Sequence, residues 1–418
     1  MISKLKSISY SMAESLLQFF GLLFFTIFLM REMSLQSFGV YTLLYAIGSF
    51  VSSFLQGFTE KAFIKFYAED HLPKYIVATV LLNFGVGAVL CVLMLILSPF
   101  LISIFKNEFG FFSLVVVCVL VLTTTLRNIV KSIFIARMNF RYVFFQTLIW
   151  TIFLNAVVFF FYLKGILSPN KILLVHIVAN ILISIIAFIK ITKENLFFVA
   201  KFDEVKQCIS EQISFGKYSL GISIAFLFYT QVDTFLIGAM LGTKEVGLYE
   251  IPKRIFTFAR LYSNSISQML FPKIVRLSSD ISAQKKAFFS AIKFGPLGGI
   301  VLAIASFFLL PFALPLVFGE KYLSVLSVSR LVSIFFIIHP ISNFSGNTLG
   351  ALNMPKEDLK TLLITFVINV VLDLTLIPFF GIAGAGYATL ITVFAGGLIN
   401  FSKVRKIFRQ LENNIIKQ

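Results

Sequence analysis

The stretch "FGVYTLLYAIGSFVSSFLQ", residues 38–56, carries no formal charge over its whole length. As an α-helix rising 1.5 Å per residue it reaches about 28 Å, enough to cross the hydrocarbon core of a bilayer. Its opening recurs in the second half of the chain as "VGLYEIPKRIFTFARLYSN", residues 246–264. Gly39 and Tyr41 match Gly247 and Tyr249 at an offset of 208, close to half of the 418 residues. A looser match sets Gly165-Ile166 beside Gly381-Ile382, each between the fifth and sixth spans of its half. Two such six-helix bundles are a transporter architecture. The expected fold is therefore an all-α polytopic membrane protein, with about 12 transmembrane helices in two six-helix lobes.

Composition points the same way. Hydrophobic residues make up 58% of the chain and charged residues 13%, and 52 residues are Phe. A soluble domain needs more polar cover than that, and the short alternating segments of a membrane β-barrel are absent. Twelve apolar windows are expected to start near Tyr10, Gly39, Tyr75, Phe111, Val143, Ile172, Lys217, Tyr249, Ala291, Val325, Lys360 and Gly384. The breaks between them, such as "MREMSLQS", "FKNEFG" and "KGILSPNK", are short and polar. The N-terminal stretch lacks the short apolar core and small-residue cleavage site of a signal peptide, so the first span is expected to be retained. Cys91, Cys118 and Cys208 are odd in number and unpatterned, which indicates neither a disulfide frame nor a metal site.

The formal net charge of +17 would suggest nucleic acid in a soluble protein. Here it reads as basic loops that orient the chain, with no nucleic-acid partner. Of the 36 Lys and Arg residues, 26 fall on the face shared by both termini, 6 on the other face and 4 inside spans. Both termini are then cytoplasmic. The expected organisation is an N-terminal lobe over 1–191, a linker over 192–216, a C-terminal lobe over 217–402 and a basic tail over 403–418. In the linker, Phe198, Phe202, Val205, Ile209 and Ile213 share one helical face, the pattern of an amphipathic helix lying on the cytoplasmic surface.

Ionisable groups inside a span are costly, so they should face the protein interior, pair, or line water. On the eighth span Glu250, Lys253, Arg254, Thr257, Arg260, Asn264 and Gln268 recur at three- and four-residue steps and form one polar stripe. Glu250 and Asp233 are candidate partners for Lys253 and Arg254, which leaves those cations open to a purely structural reading. Arg260 lies about 16 Å along the helix from Tyr249 and lacks an obvious partner. It points to an anionic ligand, and phosphate matches the guanidinium fork. Gln56 belongs to a polar stripe on the second span, Glu14 to one on the first, and Arg127 and Lys131 to the end of the fourth, where a solvated helix end and a substrate role are both open. His339 stands beside Pro340 in the tenth span, as a hydrogen-bonded structural residue or a proton carrier. Asp373 in the eleventh is either a buried cap or a cation site. The breakers "FGPLGG" and "HPISNFSG" suit helices that bend between states.

The stretch "YSLGISIAFLFYTQVDTFLIGAMLGTKEVGLYEIPKRI" resembles the seventh and eighth spans of Wzx-type polysaccharide flippases. "ALNMPKEDLKTLLITFVINVVLDLTLIPFFGIAGAGYATLIT" is similar to their eleventh and twelfth, and "MSLQSFGVYTLL" to their usual start. These motifs cover about half of the chain and occur also in the wider superfamily of multidrug exporters and lipid-linked sugar flippases. The resemblance implies two six-helix lobes around a central cavity, a prokaryotic cytoplasmic membrane, and transport of undecaprenyl-diphosphate-linked oligosaccharide by alternating access. Asp233 and Lys253 or Arg254 fall on charged positions of the family pattern; Arg260 does not clearly do so.

The expected function is flipping of that lipid-linked glycan, which is not an enzymatic act. Arg260, Arg254, Lys253, Asn264, Arg127, Lys131 and Gln56 are the candidate diphosphate and sugar ligands. Glu14, Asp233, Glu250, Asp373 and His339 are candidates for coupling ions or structural ion pairs. No metal or other cofactor is expected beyond coupling by Na+ or H+. The expected partners are the glycan lipid, membrane lipids and other membrane proteins of polysaccharide assembly. A multidrug exporter of the same fold is the alternative; a membrane glycosyltransferase or polymerase fits less well, because every external connection is short.

Overall fold

The computed structural model describes residues 2–70, 73–193, 202–278 and 280–416, and within them the side chains of all but residues 2–9, 11–12, 58, 61, 68–70, 215–230 and 414–416. Every regular element among the described residues is helical. The first half holds α1 (Ile2–Glu32), α2 (Leu35–Asp70), α3 (Lys74–Ile96) with the short α4 (Ser98–Ile104), α5 (Phe111–Ala136), α6 (Phe140–Leu163) and α7 (Pro169–Lys193). The second holds α8 (Phe202–Met240), α9 (Thr243–Arg276), α10 (Ile281–Ala313), α11 (Leu326–Val332), α12 (Phe335–Ala351), α13 (Pro355–Phe380) and α14 (Ile382–Ile416). A π-turn at Leu314–Phe318 and a 3₁₀ turn at Glu320–Val325 join α10 to α11.

Among the described residues these helices make twelve passages in succession, consistent with the expected architecture. Among the described residues, nine helices are long and apolar enough to cross a membrane, and a tenth span arises if Glu320–Val332 and Phe335–Ala351 act together across their 46° bend. Neither α8 nor α9 is among them; the polar stripe of α9 lowers its hydropathy. The bend falls at Ser333–Ile334, before Pro340, which sits inside α12. The loosely matched glycines have a shared cause. Gly165 follows α6 at φ 63° and Gly381 follows α13 at φ 59°, each ending a helix in the left-handed region that glycine enters freely.

The chain divides into two compact units: Met1–Gln231 with Gly242–Gly247, and Val232–Leu241 with Leu248–Gln418. In the first, Phe63, Tyr67, Tyr75, Ile129, Phe134 and Val143 form an apolar cluster with Val205 and Cys208. In the described part of the expected linker, from Phe202 onward, Val205 and Cys208 are buried while Phe202 and Ile213 are exposed. This segment opens the 39-residue helix α8, and Gln212 Nε2 donates to Thr79 Oγ1 at 2.9 Å. Residues 194–201, including Phe198, lie outside the described residues.

In the second unit Leu270, Ile274, Phe288 and Phe344 cluster with Val404 and Phe408. Residues 403–413, expected as a tail, continue α14, because Val404, Ile407, Phe408 and Leu411 fall on one helical face. Lys285 Nζ closes this contact on Glu412 Oε1 at 2.8 Å. Cys91, Cys118 and Cys208 are free buried thiols.

Candidate functional site

Helix α9 sorts its side chains by period. Ile251, Ile255, Phe256, Ala259 and Ser263 are buried on one side, with Phe256 edge-on to Phe335 at 4.7 Å. On the other side Glu250 reaches Arg254 at 3.4 Å and Lys253 at 3.8 Å, one turn along the helix. Lys253 Nζ also donates to Thr234 Oγ1 at 2.8 Å. Arg260 Nη2 has a long contact of 3.5 Å with Thr257 Oγ1. Among the described residues, no carboxylate lies within salt-bridge distance of Arg260. Further along, Asn264 Oδ1 accepts from Asn343 Nδ2 at 2.9 Å, and Ser267 Oγ donates to Asn343 Oδ1. His339 packs on Phe335 at 4.9 Å, and its buried Nδ1 has no hydrogen-bond partner among the described residues.

Asp233 is held differently from the sequence expectation. Its Oδ2 accepts from Tyr249 Oη at 2.8 Å and from Thr389 Oγ1 at 3.0 Å, and no ion pair joins it to Lys253 or Arg254 among the described residues. Asp373 is fully buried with its carboxyl group beside that of Asp233, and no other side chain bonds its oxygens among the described residues. Two carboxyl groups so placed repel as anions. A proton or a cation between them removes that repulsion.

In the first unit Glu14 Oε1 accepts from Lys131 Nζ at 2.8 Å and from Thr147 Oγ1 at 2.9 Å. Arg127, one turn before Lys131, lays its guanidinium over the ring of Trp150 at 4.2 Å. Trp150 is fixed in turn by Nε1 donating to Asn180 Oδ1 at 3.0 Å. Arg127, Lys131, Gln146, Thr147 and Trp150, with Gln18, line one recess. Gln56 lies in a second recess of this unit with Asn128, whose Nδ2 is 3.5 Å from its Oε1.

Most of the sequence candidates thus fall into three groups: the α9 stripe, the Asp233–Asp373 pair, and the Glu14–Arg127–Lys131 group; Gln56 stands apart in the second recess and His339 beside Phe335 on α12. Sequence reasoning passed over Gln146, Trp150 and His176, whose Nε2 is 3.1 Å from Tyr41 Oη. The signal was available: Gln146, Thr147, Trp150, Thr151 and Asn155 make a polar stripe at helical spacing on the otherwise apolar α6.

The sequence pattern of the family described as "Polysaccharide biosynthesis protein" matches residues 28–327. A protein of Haloferax volcanii called "Probable low-salt glycan biosynthesis flippase Agl15" is 30% identical over 183 residues, 43% of this chain and 38% of that one. The chain spans about two-fifths of the length of the curated relatives it matches. Among solved structures, an inward-facing multidrug resistance MATE family transporter of the MOP superfamily is similar at a TM-score of 0.75 and 12% identity, covering 95% of this chain and 96% of that one. The lipid II flippase MurJ, in an inward closed conformation, is similar at 0.73 and 17% identity, covering 97% and 90%. At those identities the two structures show a shared fold.

Proposed function

This chain belongs to the polysaccharide biosynthesis protein family, and from that premise we propose that it flips a polyprenyl-diphosphate-linked oligosaccharide across a prokaryotic cytoplasmic membrane. The observation that carries this reading is Arg260, a half-buried cation on α9, the helix read from the sequence as the eighth span, with no carboxylate in salt-bridge distance among the described residues. A charge placed in a span at such cost calls for an anionic ligand. The guanidinium fork suits a phosphate.

In this reading Arg260 holds the diphosphate, with Lys253 and Arg254 adding positive potential that Glu250 partly offsets. Asn264 and Gln56 offer amide groups to sugar hydroxyls, and Arg127 and Lys131 form a second cationic site. The Asp233–Asp373 pair takes the coupling Na+ or H+, since a buried carboxyl pair needs a positive charge between its members. Glu14 is tied to Lys131 and serves that cation as a structural partner. His339, without a donor or acceptor on Nδ1, is a further candidate for the proton. The lipid tail stays in the bilayer, the head group is exposed first to one side and then to the other, and no bond is made or broken. Both termini face the cytoplasm, and other membrane proteins of polysaccharide assembly supply and remove the cargo.

The deciding experiment is reconstitution in liposomes with a fluorescent diphosphate-linked oligosaccharide, measuring its movement between leaflets. Transfer above that of protein-free liposomes supports the reading. Export of a cationic dye with no movement of the glycan lipid would replace it with the multidrug reading that the shared fold also allows.

A further inference from the structure

We propose that the recess lined by Arg127, Gln146 and Lys131 in the first unit is a built seat for an oxyanion of the cargo, a carboxylate or phosphate oxygen. The proposal rests on the transport reading above and adds a second anion contact to it. Three observations carry it.

The first is charge. Arg127 and Lys131 bring two cations to the recess, and Glu14, bound to Lys131 at 2.8 Å, returns one negative charge. One positive charge is left over, on the guanidinium side. Among the described residues Arg127 has no carboxylate within salt-bridge distance; its partner is the ring of Trp150, over which its guanidinium carbon sits 4.2 Å from the ring centre. Stacking fixes the plane of a guanidinium and leaves its N–H edge for a ligand.

The second is Gln146. It is 6% exposed and lines the recess, yet neither Nε2 nor Oε1 has a hydrogen-bond partner among the described residues. A buried amide left without partners costs free energy, and a ligand that accepts from Nε2 removes part of that cost. The third is size. The recess is open on one side, and the room at its base is about 10 Å³, enough for one water-sized group. That suits a single oxygen of an oxyanion reaching in from a larger molecule.

Two sources of such an oxyanion exist on the proposed cargo: the carboxylate of an acidic sugar and the diphosphate of the carrier. The protein carries its own reporter, because Trp150 is the single tryptophan of the chain and lies in the recess. The experiment is a fluorescence titration of the full-length protein in phosphatidylcholine nanodiscs with glucuronate, inorganic pyrophosphate and glucose. A saturable change with glucuronate alone identifies the sugar carboxylate as the source, and one with pyrophosphate alone identifies the carrier. A response to both defines a general oxyanion seat.

In Arg127→Lys, which keeps the charge but loses the fork, and in Gln146→Leu, the apparent Kd should rise at least tenfold. Two variants guard against the misfolding of either. No response in the wild-type protein, an equal response to glucose, or an unchanged Kd in both variants overturns the proposal. The readout is binding, so a chain that seats oxyanions but moves no lipid would sink the transport reading and leave the seat standing.

Discussion

Gly39 and Gly247 lie backbone against backbone, and the contact is reciprocal. A methyl group on Gly39 would strike the carbonyl oxygen of Thr243, and one on Gly247 would come within 2.6 Å of the carbonyl oxygen of Leu35. Leu35 and Thr243 open α2 and α9 and are themselves 208 residues apart, as the two glycines are. Each repeat therefore offers the same glycine to the same carbonyl of the other. The repeat read from a short motif in the sequence has a physical cause. Two equivalent helix starts approach so closely that no side chain fits between them.

Replacing either glycine by alanine should destabilise this contact by about 1–3 kcal/mol, the usual cost of forcing a methyl into a packed site. Gly85, with no atom within 4 Å of an added methyl, is the control. Thermal unfolding of the purified protein should fall in Gly39→Ala and Gly247→Ala and hold or rise in Gly85→Ala. Equal midpoints for all three would show that the close approach carries no energy.

Arg260→Ala should lower glycan-lipid transfer by about ten- to a hundredfold, the rate equivalent of one lost charge-assisted hydrogen bond. Arg260→Lys should recover part of it, since an ammonium keeps the charge without the fork. Lys406→Ala, an exposed cation of α14, should transfer at the wild-type rate. An Arg260→Ala protein as active as Lys406→Ala would remove Arg260 from the site.

The fold was largely legible in the sequence, because apolar runs of bilayer length and short polar breaks leave few alternatives. The order of twelve helical passages follows from them. The position of Arg260 was partly legible: setting Glu250 and Asp233 against Lys253 and Arg254 leaves Arg260 over, and among the described residues no carboxylate lies within salt-bridge distance of it, although Glu250 alone serves the other two. The partner of Asp233 was not. Position along the helix made Lys253 and Arg254 its obvious neighbours, but Tyr249 and Thr389 hold it. A hydroxyl on a later helix has no signature in the sequence near Asp233. The aromatic prop under Arg127 was hidden for the same reason, since Arg127 and Trp150 lie on different helices.

Asp373→Asn should raise stability and lower coupled transport together. Asp373 is fully buried beside Asp233 and no other side chain bonds its oxygens among the described residues, so an amide, which carries no charge, relieves the repulsion that two anions would have there. The same change removes a charge from the proposed ion site. Thermal unfolding and flipping under an imposed Na+ or pH gradient check the two halves of the prediction. A destabilised variant that still responds to the gradient would assign Asp373 a structural role alone.

The Lys131–Glu14 pair should show coupling in a double-mutant cycle. Glu14 is nearly buried, and Lys131 keeps 27% of its side-chain exposure. Removing either partner leaves the other charge poorly solvated, at a cost of about 2 kcal/mol. The double variant Glu14→Gln with Lys131→Met should lose less stability than the two single variants added together. Additive losses in unfolding measurements would mean that the pair is solvated and contributes nothing as a unit.

Phe408→Ala separates a packed helix end from a free tail. Phe408 is fully buried, lies tilted against Phe288 at 6.0 Å between ring centres, and shares a cluster with Leu270, Ile274 and Phe344. Removing a fully buried aromatic ring costs about 3–5 kcal/mol in a core that does not collapse around the gap. A charged tail in water would lose nothing. Arg409→Ala, on the exposed neighbour, should leave unfolding unchanged because its side chain is in solvent. If Phe408→Ala and Arg409→Ala unfold at the same temperature, residues 403–413 do not pack on α10. If Phe408→Ala falls well below it, the last turns of α14 are part of the core of the second unit.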